Sequence, residues 1–226
     1  MIHYLVAIYY RIIILINDLF NTSIYKKIKN EYQAIQLGKK HNYVSGSNVY
    51  FGKYLNEKVI IKGFDIFNLY KNEINILNIL NQSNFVPGIL KVSKKYFIEE
   101  YVDGQTFDEY LKENMVNDKI LKQIIEYLDY LYSYKIVHRD IRPENIIINR
   151  ENIKVIDYGC AIKVDNNSFK FPLRVEKTLG EKYKNHEYWD DASSFYNILK
   201  PYVKDDNEFL LEIKKREKRL IYERES

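Results

Sequence analysis

The sequence predicts an α+β chain in two parts: a small antiparallel sheet with one helix, then a reduced helical part. Three observations carry that reading. Residues 37–62, LGKKHNYVSGSNVYFGKYLNEKVIIK, are short alternating segments around glycine, which fit strand, turn and strand better than helix. Residues 118–134 place Ile120, Leu121, Ile124, Ile125, Leu128 and Leu131 in a broad apolar stripe at helical spacing. Between them, Asp103-Gly104 marks a sharp change from strand pattern to helix pattern. The expected organisation is an apolar and amphipathic extension over residues 1–36, a sheet-rich part over 37–102 and a helical part over 103–226.

At 226 residues with 46% hydrophobic side chains the chain has the material for a proper core. A net charge of +4, from 35 Lys+Arg against 31 Asp+Glu, is too mild to point to nucleic acid as a ligand. Cys160 is the single cysteine, which excludes an intrachain disulfide or a Cys-rich metal site and points to a reducing, cytoplasmic setting.

The run IHYLVAIYYRIIILI, residues 2–16, is short of a bilayer span and carries Arg11 near its middle. It lacks the basic start and small-residue cleavage site of a signal peptide, so it is expected to pack on the domain, with peripheral membrane contact as the alternative. From Thr22, the residues Ile24, Ile28, Tyr32 and Ile35 recur at helical spacing with charge between them. Gly46, Ser47 and Asn48 are read as a tight turn before Val49, where backbone amides can approach a phosphate; with one glycine in the tip it is a poor phosphate loop. VIIK at 59–62 is a buried strand ending in a cation. LYKNEINILNIL at 69–80 is a largely buried helix with Glu73 at its rim, and Lys62 is the cation expected opposite that carboxylate. Pro87-Gly88 is a turn, ILKVS and KYFIEEYV are strands, and helices are expected over 106–114 and 118–134.

The stretch HRDIRPENIIIN, His138 to Asn149, places an Asp at 140, a cation at 142 and an Asn at 145, and an Asp-Tyr-Gly follows at 157–159. Phosphoryl transfer needs a carboxylate to face the hydroxyl, a cation for the moving phosphoryl, and an amide with a second carboxylate for Mg²⁺. These two blocks resemble the HRDLKPEN and DFG motifs of the protein-kinase superfamily in its eukaryotic-like form. The resemblance covers roughly residues 37–200 and implies a two-lobed kinase-like fold, with ATP and Mg²⁺, or Mn²⁺, as cofactors.

The resemblance also implies roles. Lys62 would hold the α- and β-phosphates with Glu73 aiming it, and the turn at Ser47 would lie over the phosphates. Glu100 and Val102 would meet the adenine edge, and Val49, Ile60 and Ile147 would sandwich the ring. Asp140 would be the catalytic carboxylate, Arg142 would neutralise the γ-phosphoryl, and Asn145 with Asp157 would hold Mg²⁺. Leu77, Tyr158, His138 and Asp191 would form the internal spine, and Arg139 would receive a phosphorylated segment, with Ser168 and Thr178 as acceptors.

The chain departs from the family pattern in several places. Arg142 replaces the usual lysine, and Glu99 replaces an apolar gatekeeper, either as a polar back wall or as an ion pair with Lys62. Thr178 to Glu187 only faintly echoes the family's activation-segment motif, with Tyr183 and Glu187 in place and His186 where proline belongs. The helix expected at 190–199 and a charged one, EFLLEIKKREKRL, then close a shortened C-lobe. The implied activity is ATP-dependent transfer to a Ser/Thr hydroxyl of a protein substrate, with autophosphorylation. The alternatives are a small-molecule kinase or ATPase, like the compact atypical kinases of tRNA-modification complexes, and a nucleotide-binding pseudokinase.

Overall fold

The computed structural model describes residues 22–37, 47–64, 67–164 and 188–223. The apolar run 2–16, Gly46, Ser168, Thr178, Tyr183, His186 and Glu187 lie outside the described residues. The chain divides into two compact units, one of residues up to Phe67 with Leu90–Tyr101, the other of Asn68–Ile89 with Val102 onward.

The first unit contains helix α1 (Thr22–Tyr32) and strands β1 (Ile35–Leu37), β2 (Ser47–Tyr54), β3 (Glu57–Phe64), β4 (Ile89–Val92) and β5 (Tyr96–Glu100). The strands form one sheet in the order β1-β2-β3-β5-β4. Ile28 and Tyr32, one helical turn apart on α1, are buried with Ala34, Tyr50, Val59, Ile61, Tyr96 and Ile98 in a common core. Each fully buried aliphatic side chain of this kind contributes roughly 1.5–3 kcal/mol. The segment read as a packing extension thus supplies part of the sheet's own core. A Cβ on Gly52 would lie 2.9 Å from the Tyr32 carbonyl oxygen, so the glycine lets the end of α1 close on β2. The Tyr32 hydroxyl meets that of Tyr96 at 2.9 Å and accepts from Lys91 Nζ at 2.9 Å. Burial, its largest influence, raises the Tyr32 pKa well above the usual phenol range.

The β2–β3 hairpin turns at Leu55-Asn56, both left-handed with φ of 50° and 68°. Two positive φ values give the turn whose twist matches the flanking strands. The sequence put its turn signal on the glycine at 46; leucine gives no such signal, and here the strand pairing imposes the conformation on Leu55.

The second unit begins within α2 (Phe67–Ile79) and continues through β6 (Gln105–Thr106), α3 (Phe107–Glu113), α4 (Asp118–Ser133), β7 (Ile136–Val137), β8 (Ile146–Asn149), β9 (Asn152–Val155) and β10 (Ile162–Lys163). After the undescribed stretch come β11 (Tyr188–Trp189), α5 (Asp191–Leu199), α6 (Glu208–Lys214) and β12 (Tyr222–Glu223). Its small antiparallel sheets are β6-β8-β9, β7-β10 and β11-β12. Helix α4 starts at Asn117, whose side chain accepts from the Ile120 N–H at 3.0 Å, and buries Ile120, Leu121, Ile124, Tyr127, Leu128 and Leu131. Gly104, at φ 142°, brings the chain against β8, where a Cβ would lie 2.4 Å from the Ile148 carbonyl oxygen.

Helix α6 packs on α4 and α5. The charged closing helix expected from the sequence stops at Lys214. Residues 215–218 are turns, with Lys218 left-handed at φ 62°. The Arg216 guanidinium binds Asp129 through Nε to Oδ1 at 3.0 Å and Nη2 to Oδ2 at 2.7 Å, and so draws the chain off its helical path. Among the described residues no helix is long and apolar enough to cross a membrane.

Candidate active site

Strand β7 delivers His138 to a tight loop whose backbone is fixed from below. Asp191, at the start of α5, accepts the His138 N–H at 2.6 Å and the Arg139 N–H at 3.0 Å, one on each carboxylate oxygen. These two bonds hold Arg139 in a left-handed conformation, φ 66°. The Asp191 carboxyl is pushed up to about 7 by burial, while the two backbone N–H groups pull it down. His138 Nδ1 lies 3.3 Å from the Asp140 N–H and Nε2 lies 3.2 Å from the Ile156 carbonyl. The partners therefore assign a neutral ring with its proton on Nε2. Its ring meets Tyr158 edge-on at 4.6 Å, and the Tyr158 hydroxyl meets that of Tyr127 at 3.2 Å.

Asp140 sits over this base, 7% exposed. Asn145 Nδ2 donates to its carbonyl at 2.9 Å and to its Oδ2 at 3.0 Å, and Arg142 Nε lies 3.7 Å from the same Oδ2. The short turn Pro143–Asn145, closed by the Asn145 N–H on the Arg142 carbonyl at 2.9 Å, sets that amide. The Ile156 N–H donates to the Asn145 carbonyl at 2.9 Å, which keeps Asp157 beside the loop, left-handed at φ 67°. Asp140, Arg142, Asn145 and Asp157 are thus gathered in one unit.

Helix α2 closes on the same triplet. Asn72 Nδ2 donates to the Ala161 carbonyl at 2.8 Å, and Glu73 is buried. A Cβ on Gly159 would lie 3.4 Å from Asp157 Oδ1 and 3.6 Å from Glu73 Oε2, so two carboxylates flank this glycine. Arg139 Nε donates to the Cys160 carbonyl at 2.7 Å, and its guanidinium stacks over Trp189 at 5.0 Å. Burial, with the Asp157 and Asp140 charges, raises the Cys160 thiol far above its usual range and leaves it a poor nucleophile.

In the first unit Lys62 sits on β3 opposite Val49 of β2 and Phe97 of β5. Its Nζ lies 3.2 Å from Glu99 Oε1, both side chains being buried, so of the two readings of Glu99 the structure shows the ion pair. Ile60 faces Glu99 in the strand register, Glu100 faces Val59, and Ser47 faces Phe64 at the start of β2. Ile147 is buried on β8 in the second unit, and Val102 is half-buried just after β5.

Asn145 and Asp157 offer a carboxamide oxygen and a carboxylate, hard donors of the kind magnesium takes. The backbone bond between Ile156 and Asn145 keeps them side by side, so the donor set fits the ion. Among the described residues no cluster of three or more His, Cys, Asp or Glu could hold a metal ion.

Some contributors gave little sign of themselves. Asn72 carried no signal beyond its place before Glu73. Asp190 caps α5, accepting from the Ala192 and Ser193 N–H groups at 3.0 and 3.2 Å, and its place just ahead of a helix was the clue.

A profile of the protein kinase domain matches residues 26–185. MAP kinase kinase kinase SSK2 of Saccharomyces cerevisiae is 34% identical over 127 residues, covering 51% of this chain and 8% of that protein. The carbon catabolite-derepressing protein kinase of Candida glabrata is 29% identical over 127 residues, covering 52% of this chain and 21% of its own length. CBL-interacting serine/threonine-protein kinase 10 of Arabidopsis thaliana is 31% identical over 137 residues, covering 53% and 29% respectively. The matched stretch is therefore less than a third of each relative. With the profile spanning most of the sequence and the loop geometry above, the chain belongs to the protein kinase domain family.

Proposed function

We propose that this chain is an ATP-dependent phosphotransferase that moves the γ-phosphoryl group to a Ser or Thr hydroxyl of a protein, itself included. The observation that carries the reading is the arrangement of Asp140: a nearly buried carboxylate held through Asn145 Nδ2, with Arg142 3.7 Å from one oxygen, on a loop anchored to Asp191. The acceptor hydroxyl oxygen forms the new bond to phosphorus as the bond to the β–γ bridging oxygen breaks and ADP leaves. Asp140 orients that hydroxyl and accepts its proton. Arg142 supplies positive charge for the moving phosphoryl group. Asn145 and Asp157 would hold magnesium, which when bound neutralises the triphosphate. Positioning and charge provide most of the acceleration, since the protein forms no covalent intermediate.

For Lys62, Val49, Ile60, Ser47 and Glu100 in the first unit, and Glu73, Val102 and Ile147 in the second, nucleotide binding is the role proposed from family membership. The test is radiolabelled Mg²⁺-ATP with the purified chain, with and without a generic acceptor protein. Label on the acceptor or on the chain, lost in both Asp140→Ala and Asp157→Ala, is the expected result. Phosphate release or metabolite labelling without protein labelling overturns the acceptor class, and wild-type turnover in either variant overturns the site.

A further inference from the structure

The C-terminal segment after α6 is bound first to α4 and then to the residues just ahead of α5. Arg216 holds Asp129 with two bonds and Glu212 Oε2 at 3.2 Å; Arg219 Nη1 reaches the same Asp129 at 3.1 Å and its guanidinium covers the Tyr132 ring at 5.3 Å. Both anchors sit on α4. The left-handed turn at Lys218 then aims its N–H at Asp190 Oδ2, 2.6 Å away, while Oδ1 of the same carboxylate caps α5. Four residues on, β12 pairs with β11, Tyr222 opposite Trp189 and Glu223 opposite Tyr188.

Beyond the α4 anchors, the contacts of the tail fall on the consecutive residues Tyr188, Trp189 and Asp190, which lead directly into Asp191. Trp189 lies under the Arg139 guanidinium, Asp190 is bonded to Lys218, and Asp191 holds the His138 and Arg139 N–H groups immediately before Asp140.

We propose that residues 216–223 are a positioning strap for the catalytic loop, fixing Trp189–Asp191 and through them the backbone that carries Asp140. This rests on the phosphotransferase reading for its catalytic consequence, but its structural content stands apart from activity. The strap braces a loop about eighty residues earlier, and it anchors Arg216 and Arg219, from the charged stretch EFLLEIKKREKRL, on α4. None of its members touches a reacting atom; they act through Asp191.

Asp190→Asn tests it in the full chain. Asparagine caps a helix as well as aspartate, so its amide oxygen keeps the Ala192 and Ser193 bonds. The amide nitrogen would replace Oδ2 and face the Lys218 N–H, donor against donor. A second full-length variant, Arg216→Ala/Arg219→Ala, releases the tail from Asp129. Two readouts are needed: hydrogen exchange of the His138 and Arg139 amides, and kcat and KM for ATP in the acceptor assay. In both variants those amides are expected to exchange at least tenfold faster, while the Ile61 and Ile98 amides of the first unit stay within twofold. The kcat is expected to fall about tenfold with KM for ATP within twofold. Unchanged exchange at His138 and Arg139 in either folded variant overturns the strap. Faster exchange in a chain whose wild type shows no transfer keeps the strap and removes the function reading; faster exchange with unchanged kcat overturns its catalytic role.

Discussion

Asp191→Asn separates charge from shape at the anchor of the His138–Asn145 loop. Burial pushes the Asp191 carboxyl from 3.8 up to about 7. The folded state thus keeps a proton over a pH range in which the unfolded chain has released it. The stability linked to this group is full below about pH 4 and is lost as pH rises through about 7. The whole gap corresponds to about 4 kcal/mol, or about 1.4 kcal/mol per pH unit inside the window. Asparagine has the same outline and no titration. It also turns an amide nitrogen toward one of two backbone N–H groups, a constant penalty of about 1–3 kcal/mol. Urea unfolding of both proteins at pH 5 and pH 7 is the assay. Wild-type stability minus variant stability is expected to shrink by about 2–3 kcal/mol between the two pH values. The subtraction cancels other groups that titrate in the range. A difference constant to within about 0.5 kcal/mol would refute the assignment and leave the two N–H bonds as the stronger influence on Asp191.

Gly104→Ala would place a methyl group 2.4 Å from the Ile148 carbonyl oxygen at φ 142°, so a loss of at least about 2 kcal/mol in urea unfolding is expected. Glu99→Gln keeps the outline but removes the charge 3.2 Å from Lys62 Nζ, and about 1–3 kcal/mol of stability should go with it; a neutral result would mean the pair balances its own desolvation. The Cys160 thiol, raised by burial, should resist a thiol-specific disulfide reagent at pH 8 in the folded protein and react within minutes in 6 M urea; rapid native reaction would contradict its environment.

What the sequence shows plainly is local in origin. The order of residues in HRDIRPENIIIN encodes a loop whose bonds mostly close within a few positions, such as Asn145 to Asp140. The α4 stripe is likewise a matter of spacing along one helix, and the element falls at Asp118–Ser133, as its pattern implied. Pairings between distant residues were harder to see. Arg216 meets Asp129 across 87 positions, a pairing that the charged helix pattern of EFLLEIKKREKRL does not reveal. Helix propensity favoured continuing α6 past Lys214, but the tertiary bonds to Asp129 and Asp190 prevailed. The hairpin turn at Leu55-Asn56 was missed for a similar reason: sheet twist selected a backbone conformation that leucine does not advertise. For Glu99 the chemistry narrowed the options to two, and only coordinates could choose, because both readings use the same side chain.

The hydrogen bond between the Tyr158 and Tyr127 hydroxyls sets a cost on any ligand that displaces the Tyr158 ring. A compound that needs the Tyr158 ring to swing away must break that contact and leave the buried Tyr127 phenol oxygen without this partner. At about 1–3 kcal/mol for such an orphaned group, binding would weaken by roughly 5- to 150-fold relative to a phenylalanine in the same place. Ligands that leave the ring seated carry no such penalty, so chemical libraries screened against this chain should enrich for them.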